Sequence, residues 1–338
     1  MSRVLLVSPS FHGYSASIAG ALERRGHEVT ICHYDTSSSG LGRAWTRVSI
    51  ELPGKLGIAP EPSKAQLATQ RALSALEGSS PDLVLVVKGD RLLPAFHDAL
   101  DGAGGRPRIQ RVLWLYDEVR RTRHTHDSLA RYDGIASYSP ADVATLAADS
   151  LPSIHVPLAY DPTFDPAPRA RSVESVLIGA QYPAREQLVA HLHAAGIPLR
   201  TYGRDWSRHP YDRVRTMSWD RTDVPSEREV PRREAYGIMA AAASTLNIHG
   251  DQDGFTMRTF EACGVGGAQL IDRDDVADLY EPGVELAVFH DADELVELAH
   301  RAVVDRGWAD GLRAAGRKRT LAEHTFDHRI AHLEALWD

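Results

Sequence analysis

The chain has 338 residues, 43% hydrophobic and 25% charged, which is ordinary for a folded globular protein and, at about 150 residues per domain, long enough for two. Its 38 basic and 46 acidic side chains leave a formal charge of -8, a field that repels nucleic acid and anionic membrane while leaving room for a local basic groove. Two cysteines, Cys32 and Cys263, lie too far apart for a Cys-x-x-Cys motif or a zinc-ligand spacing, exclude a disulfide scaffold and suit a reducing cytoplasm.

Short β-rich apolar runs alternate with helical patterns almost from end to end, the signature of βα units on a parallel sheet. The first run, 4–7, is too short for a signal peptide and is broken by Ser8-Pro9. Strands are predicted over 4–8, 29–33, 83–87, 112–115, 134–137 and 155–157, with helices over 15–25, 63–76 and 139–148 between them. Four prolines fall between Pro157 and Pro168 with no periodicity, placing a domain boundary in 157–171.

The pattern then restarts. Strands are expected over 175–178, 199–202, 245–248, 268–271 and 286–289, and helices over 185–195, 233–243 and from Phe255 onward. The tail reads as three helices over 292–304, 308–323 and 326–336. The expected organisation is α/β with two Rossmann-like, doubly wound domains facing a cleft: 1–165, 172–322, and a last helix in 323–338 that crosses back to the first domain. The stretch from Arg204 to Arg233 is rich in arginine, carries Trp206 and Trp219, and shows no sustained period; it reads as a solvated insertion or as a lid. The longest uncharged stretch, 235–250, falls short of the roughly 20 apolar residues that a membrane helix needs and carries Asn247 and His249.

The segment from Asn247 to Gly267 carries the most chemistry. A strand ends at His249, a Gly/Asp loop follows, and a helix begins near Phe255, so free backbone N–H groups and a positive dipole end are presented where a phosphate can bind. Asp253 and Glu261 lie within the same segment; carboxylates there can accept from pairs of sugar or ribose hydroxyls, or Glu261 can pair with Arg258 while Asp253 caps the helix. Gly264, Gly266 and Gly267 read as the helix end and a tight turn. Elsewhere, His12 in the first strand-to-helix loop and Asp117 after the strand at 112–115 are candidate bases for an acceptor hydroxyl, and Lys88 follows a buried strand. His124-Thr-His126 lacks a third ligand at metal-binding spacing, and neither a P-loop nor a Gly-x-Ser-x-Gly elbow is present.

Asp253-Gly-Phe-Thr-Met-Arg-Thr-Phe-Glu261 resembles the Glu-Gly-Phe-Gly-…-Glu element of retaining glycosyltransferases with the GT-B fold, with Asp253 in place of the first glutamate. The Arg-x-Phe-Glu pattern, Val176-Leu-Ile-Gly179 with Arg185, Leu199-Arg-Thr-Tyr202-Gly203-Arg-Asp-Trp206, and the closing His324-Thr-Phe326 look like the CgeB-like (spore maturation protein) branch of the glycosyl transferase group 1 superfamily. The likeness covers about residues 173–337 and is faint before them.

This resemblance implies a cytoplasmic, metal-independent glycosyltransferase that needs no cofactor besides a nucleoside-diphosphate sugar as co-substrate and acts with retention on an acceptor small molecule or glycan. Glu261 would hold the ribose hydroxyls. Asp253, with the Gly254 and Phe255 amides, would face the transferred sugar. Arg185 or Arg204 would neutralise the diphosphate, with Arg258 a further candidate and Gly203, Asn247, His249 and Thr256 completing the donor site. Three competitors are a sugar-nucleotide epimerase or hydrolase, a DNA-modifying glycosyltransferase, and a non-catalytic sugar-nucleotide-binding assembly protein. Neither nucleic acid nor a membrane is expected as a partner, and the sequence leaves donor, acceptor and oligomeric state open.

Overall fold

The computed structural model describes residues 1–35, 62–102, 107–219 and 221–337; position 220 of the arginine-rich stretch lies outside the described residues. The chain divides into two compact units, Met1–Leu158 with Phe326–Asp338, and Ala159–Thr325.

The first unit is a parallel sheet of β1 (Arg3–Ser8), β2 (Glu28–His33), β3 (Leu83–Val87), β4 (Gln110–Leu115), β5 (Gly134–Ser137) and β6 (Ser153–His155), in the order β2-β1-β3-β4-β5-β6. Every residue of β3 is buried, the pattern of a strand covered on both faces, so its sequence is a continuous apolar run instead of an alternation. Strand order reverses between β1 and β3, with Val4 opposite Val29 on one side and Leu83 on the other. In such sheets ligands bind beyond the carboxyl ends of the strands at this switch. The flanking helices are α1 (Tyr14–Arg24), α2 (Pro62–Ser79), α3 (Pro94–Leu100), α4 (His126–Leu129) and α5 (Pro140–Ala148).

The second unit repeats the plan with β7 (Ser175–Ile178), β8 (Leu199–Tyr202), β9 (Ser226–Glu227), β10 (Ser244–Asn247), β11 (Gln269–Ile271) and β12 (Ala287–Val288), ordered β12-β11-β10-β7-β8-β9 and parallel throughout. Its switch lies between β7 and β10. The helices are α6 (Pro183–Ala194), α7 (Pro210–Thr216), α8 (Arg232–Ala241), α9 (Met257–Gly264), α10 (Ala292–Val304) and α11 (Arg306–Glu323). Leu177, Leu192, Leu246, Leu270 and Leu312 meet in its core.

The last helix, α12 (Phe326–Glu334), groups with the first unit. Phe326 packs edge-on against buried Trp114 with ring centroids 6.3 Å apart, Arg329 Nε donates to the Leu158 carbonyl at 3.1 Å, and Glu334 pairs with Arg25 and His27 beyond α1.

Two differences from the sequence reading have local causes. The arginine-rich stretch is not aperiodic throughout: it contains α7, started by Pro210 and capped by the His209 ring, which accepts from Tyr211 N at 3.2 Å, and β9, which extends the sheet beside β8. Both are too short to print a period. The helix expected from Phe255 starts at Met257 instead, because Thr256 is the extended cap residue. No described helix is long and apolar enough to cross a membrane.

Candidate functional site

The loops at the carboxyl edge of the second sheet hold most of the donor-site residues expected from the sequence. After β7 and β8, Gly179 and Gly203 lie against each other: a Cβ at Gly203 would sit 2.5 Å from the Gly179 carbonyl, and Trp206 Nε1 donates to that carbonyl at 3.0 Å. The two loops are therefore locked together, and only glycine fits at 203.

Arg185 leaves the first turn of α6 and crosses to the switch point. Its Nε donates to the Ile248 carbonyl at 2.7 Å, one terminal nitrogen donates to the Ala180 carbonyl at 2.9 Å, and the guanidinium stacks over the Tyr182 ring at 4.6 Å. Burial lowers its pKa first, with repulsion from Arg258 adding to the effect.

Beyond β10 the chain turns through residues 249–256. His249 is buried, its Nδ1 lies 2.8 Å from Asp272 Oδ1, and its backbone N–H donates to both oxygens of the same carboxylate. The Asp272 acceptor leaves His249 Nε2 buried without a protein partner. Arg273 then organises the loop. Its terminal nitrogens donate to the carbonyls of Gln252 at 2.9 Å and Asp253 at 2.6 Å, its guanidinium covers the Phe255 ring at 4.2 Å, and Asp275 pairs with it from outside. The sequence reading missed Arg273, since backbone carbonyls leave no signature in the residues that carry them.

Glu261 is 1% exposed, just over one turn into α9. Tyr236 Oη donates to its Oε1 at 2.9 Å, Arg258 contacts Oε2 at 3.0 Å, and Arg232 lies 3.8 Å from Oε1 while donating to the Tyr236 oxygen at 2.9 Å. A buried carboxylate is tolerated only when paired and hydrogen-bonded in this way. Tyr236 and Arg232, both on α8, were not singled out from the sequence; their spacing from Glu261 in the chain hides the contact.

The remaining residues fall in different settings. Asn247 is buried between Thr259 and Gln269, to which its amide donates at 2.9 and 3.3 Å. Arg204 makes a two-pronged pair with Glu229, with about two fifths of its side chain in solvent. Gly254 is buried, whereas Asp253, Phe255 and Thr256 are half-buried around the start of α9. Gly264 accepts the Tyr160 ring so closely that a Cβ would lie 2.4 Å from it, and Gly266 has a positive φ of 77° beyond the helix end.

In the first unit, exposed His12 sits at φ 49° in the turn after β1. Asp117, after β4, pairs with Lys88, after β3; both belong to the carboxyl edge of that sheet. His124 Nε2 lies 2.7 Å from the Lys88 carbonyl and fixes that loop.

Residues 184–335 match a family described as glycosyl transferase-like. Solved structures share the architecture over the whole chain. Sucrose-phosphate synthase from Thermosynechococcus elongatus superposes with a TM-score of 0.65 at 14% identity, covering 99% of this chain and 98% of its own. HepE from Anabaena, in complex with UDP and glucose, gives 0.62 at 13% identity over 99% and 100% of the two chains. The α,α-trehalose 6-phosphate synthase from Burkholderia multivorans gives 0.63 at 13% identity over 99% and 98%. No curated protein sequence matches. The doubly wound sheets and the shared architecture give this chain the GT-B fold, and its residues 184–335 are similar to the glycosyl transferase-like family.

Proposed function

We propose that the protein moves a sugar from a nucleoside-diphosphate donor to an acceptor hydroxyl, with retention at the anomeric carbon and without a metal, and that it belongs to the CgeB-like branch. The observation that carries this reading is the pairing of Arg258 with buried Glu261 on α9, together with Arg185 held on the Ile248 carbonyl at the carboxyl edge of a doubly wound sheet. Departure of a nucleoside diphosphate develops negative charge, which two arginines and the start of α9 are placed to stabilise. Glu261, held by Tyr236, accepts the ribose hydroxyls, while Asp253 and the amides of Gly254 and Phe255 face the sugar. HepE, of the same fold, is known with UDP-glucose, which supports a donor of that class.

In a front-face retaining reaction the bond from the anomeric carbon to the diphosphate oxygen breaks as the acceptor oxygen bonds to the same face. The acceptor proton passes to the departing phosphate oxygen. His12 and Asp117 then orient an acceptor held by the first unit and abstract nothing.

A thermal-shift screen of nucleoside diphosphates and nucleotide sugars tests the reading, since a ligand at 100 times its dissociation constant adds about 2.7 kcal/mol to stability. NMR of the product formed from the stabilising donor then assigns the anomer. An inverted product contradicts retention, and a flat screen contradicts the donor class.

A further inference from the structure

The edge of the second sheet opposite the donor loops also carries a concentration of positive charge. Ser172 precedes β7 and Ala243 precedes β10, so both lie at the amino ends of strands whose carboxyl ends lead to Gly179 and His249. With strands of four residues, the two edges are about 13 Å apart. At the amino-terminal edge a cavity of about 200 Å³ is lined by Ser172, Ala243, Arg171, Arg306, Arg313 and Asp310, among others.

Three arginines face one carboxylate there. Asp310 lies 3.1 Å from Arg171 and 3.0 Å from Arg313 and is shared between them, whereas Arg306 has no ion-pair partner among the described residues. Arg313 is 8% exposed; its terminal nitrogens serve the Ala242 and Ala243 carbonyls and Asp310, and its Nε is buried with no hydrogen-bond partner among the described residues. Burial, followed by repulsion from Arg171, lowers the Arg313 pKa, consistent with one carboxylate being too few.

The geometry points to a second anion site in this cavity, separate from the donor site, that takes a phosphate group, either free or carried on a small organic molecule. Guanidinium groups from two segments of chain, the linker before β7 and α11, converge on it, and Arg–phosphate recognition uses this kind of fork. Volume sets the upper limit: a phosphate with a small substituent fits, and a nucleotide sugar does not. The inference stands independently of the donor reading.

Calorimetric titration of the full chain at fixed ionic strength, carrying Arg258→Ala so that donor-site binding is weakened, tests it with inorganic phosphate and with glycerol 1-phosphate. Arg306→Ala and Arg171→Ala, both changes of exposed side chains, are each expected to weaken binding about tenfold, while Arg3→Ala in the other unit leaves it unchanged. Tighter binding of inorganic phosphate identifies the free ion as the occupant, and tighter binding of the ester identifies a phosphorylated metabolite. Absence of binding in the Arg258→Ala parent, or an affinity unchanged by Arg306→Ala and Arg171→Ala, overturns the site.

Discussion

Tyr236 Oη donates a 2.9 Å hydrogen bond to Glu261 Oε1 while accepting one of the same length from Arg232, so a helix two elements upstream fixes the carboxylate on which the donor reading depends. Tyr236→Phe leaves both neighbours short of a partner. Removing one member of such a buried set destabilises by about 1–3 kcal/mol. We expect a lower melting temperature together with a rise in KM for the donor that exceeds the fall in kcat. A change in melting temperature with unaltered KM would show that the tyrosine serves folding alone.

Arg273 holds the loop before α9 through the carbonyls of Gln252 and Asp253. Arg273→Ala releases that loop, and Arg273→Lys restores the charge without the planar fork that reaches two carbonyls at once. Both variants are expected to turn over donor about tenfold more slowly, a loss larger than the fall in urea midpoint accounts for, because one misplaced ångström at a reacting centre is costly. Full rescue by lysine would contradict the positioning role.

Retention makes a statement about the first unit. A true general base contributes about a hundredfold to ten-thousandfold. His12→Ala and Asp117→Ala should each lower kcat less than about tenfold if the departing phosphate takes the proton. A loss beyond the hundredfold range in either variant identifies that residue as the base of an inverting reaction.

His97 gives the fold a defined acid sensitivity. It is 4% exposed, its Nδ1 has no partner, and burial, followed by repulsion from Arg111, pushes its pKa down to about 4. Between that value and the ordinary one near 6.5 the unfolded chain binds the proton and the folded chain does not. The contribution is therefore fully present above pH 6.5 and is lost as the pH falls towards 4, on the order of 3 kcal/mol in all. Urea unfolding at pH 7.5 and pH 5 should show wild type losing more stability than His97→Phe, which keeps an aromatic ring against Tyr132 and cannot titrate. Equal losses in the two proteins would rule out His97 as the cause.

Gly264 tests the packing behind α9. Replacing glycine with alanine in a helix ordinarily gains about 1 kcal/mol. Here the new methyl meets the Tyr160 ring at 2.4 Å, and overpacking of that kind costs about 1–3 kcal/mol. The clash should win, so Gly264→Ala is expected to lower the melting temperature; a rise would mean that Tyr160 moves aside freely.

Much of the fold could be read from the residues because burial on both faces turns parallel strands into apolar runs: Leu83–Val87 stands where its sequence places it. The two-residue strand β9 and the seven-residue helix α7 could not be read, since neither is long enough to show a period. The site divides in the same way. Glu261, Arg258 and Asp253 share one local segment and were singled out through it. Tyr236, Asp272 and Arg273 reach the site from other elements, and such contacts are made by topology, which spacing along the chain does not encode.

Calorimetric titration of wild type and Glu261→Gln with the nucleoside diphosphate that gives the largest thermal shift tests the central claim most directly. The account predicts one site per chain in wild type and an affinity about tenfold weaker in the variant, as expected when a buried carboxylate that accepts from two hydroxyls is replaced by an amide. Equal affinity in the two proteins, or no nucleoside diphosphate bound by wild type, would contradict it.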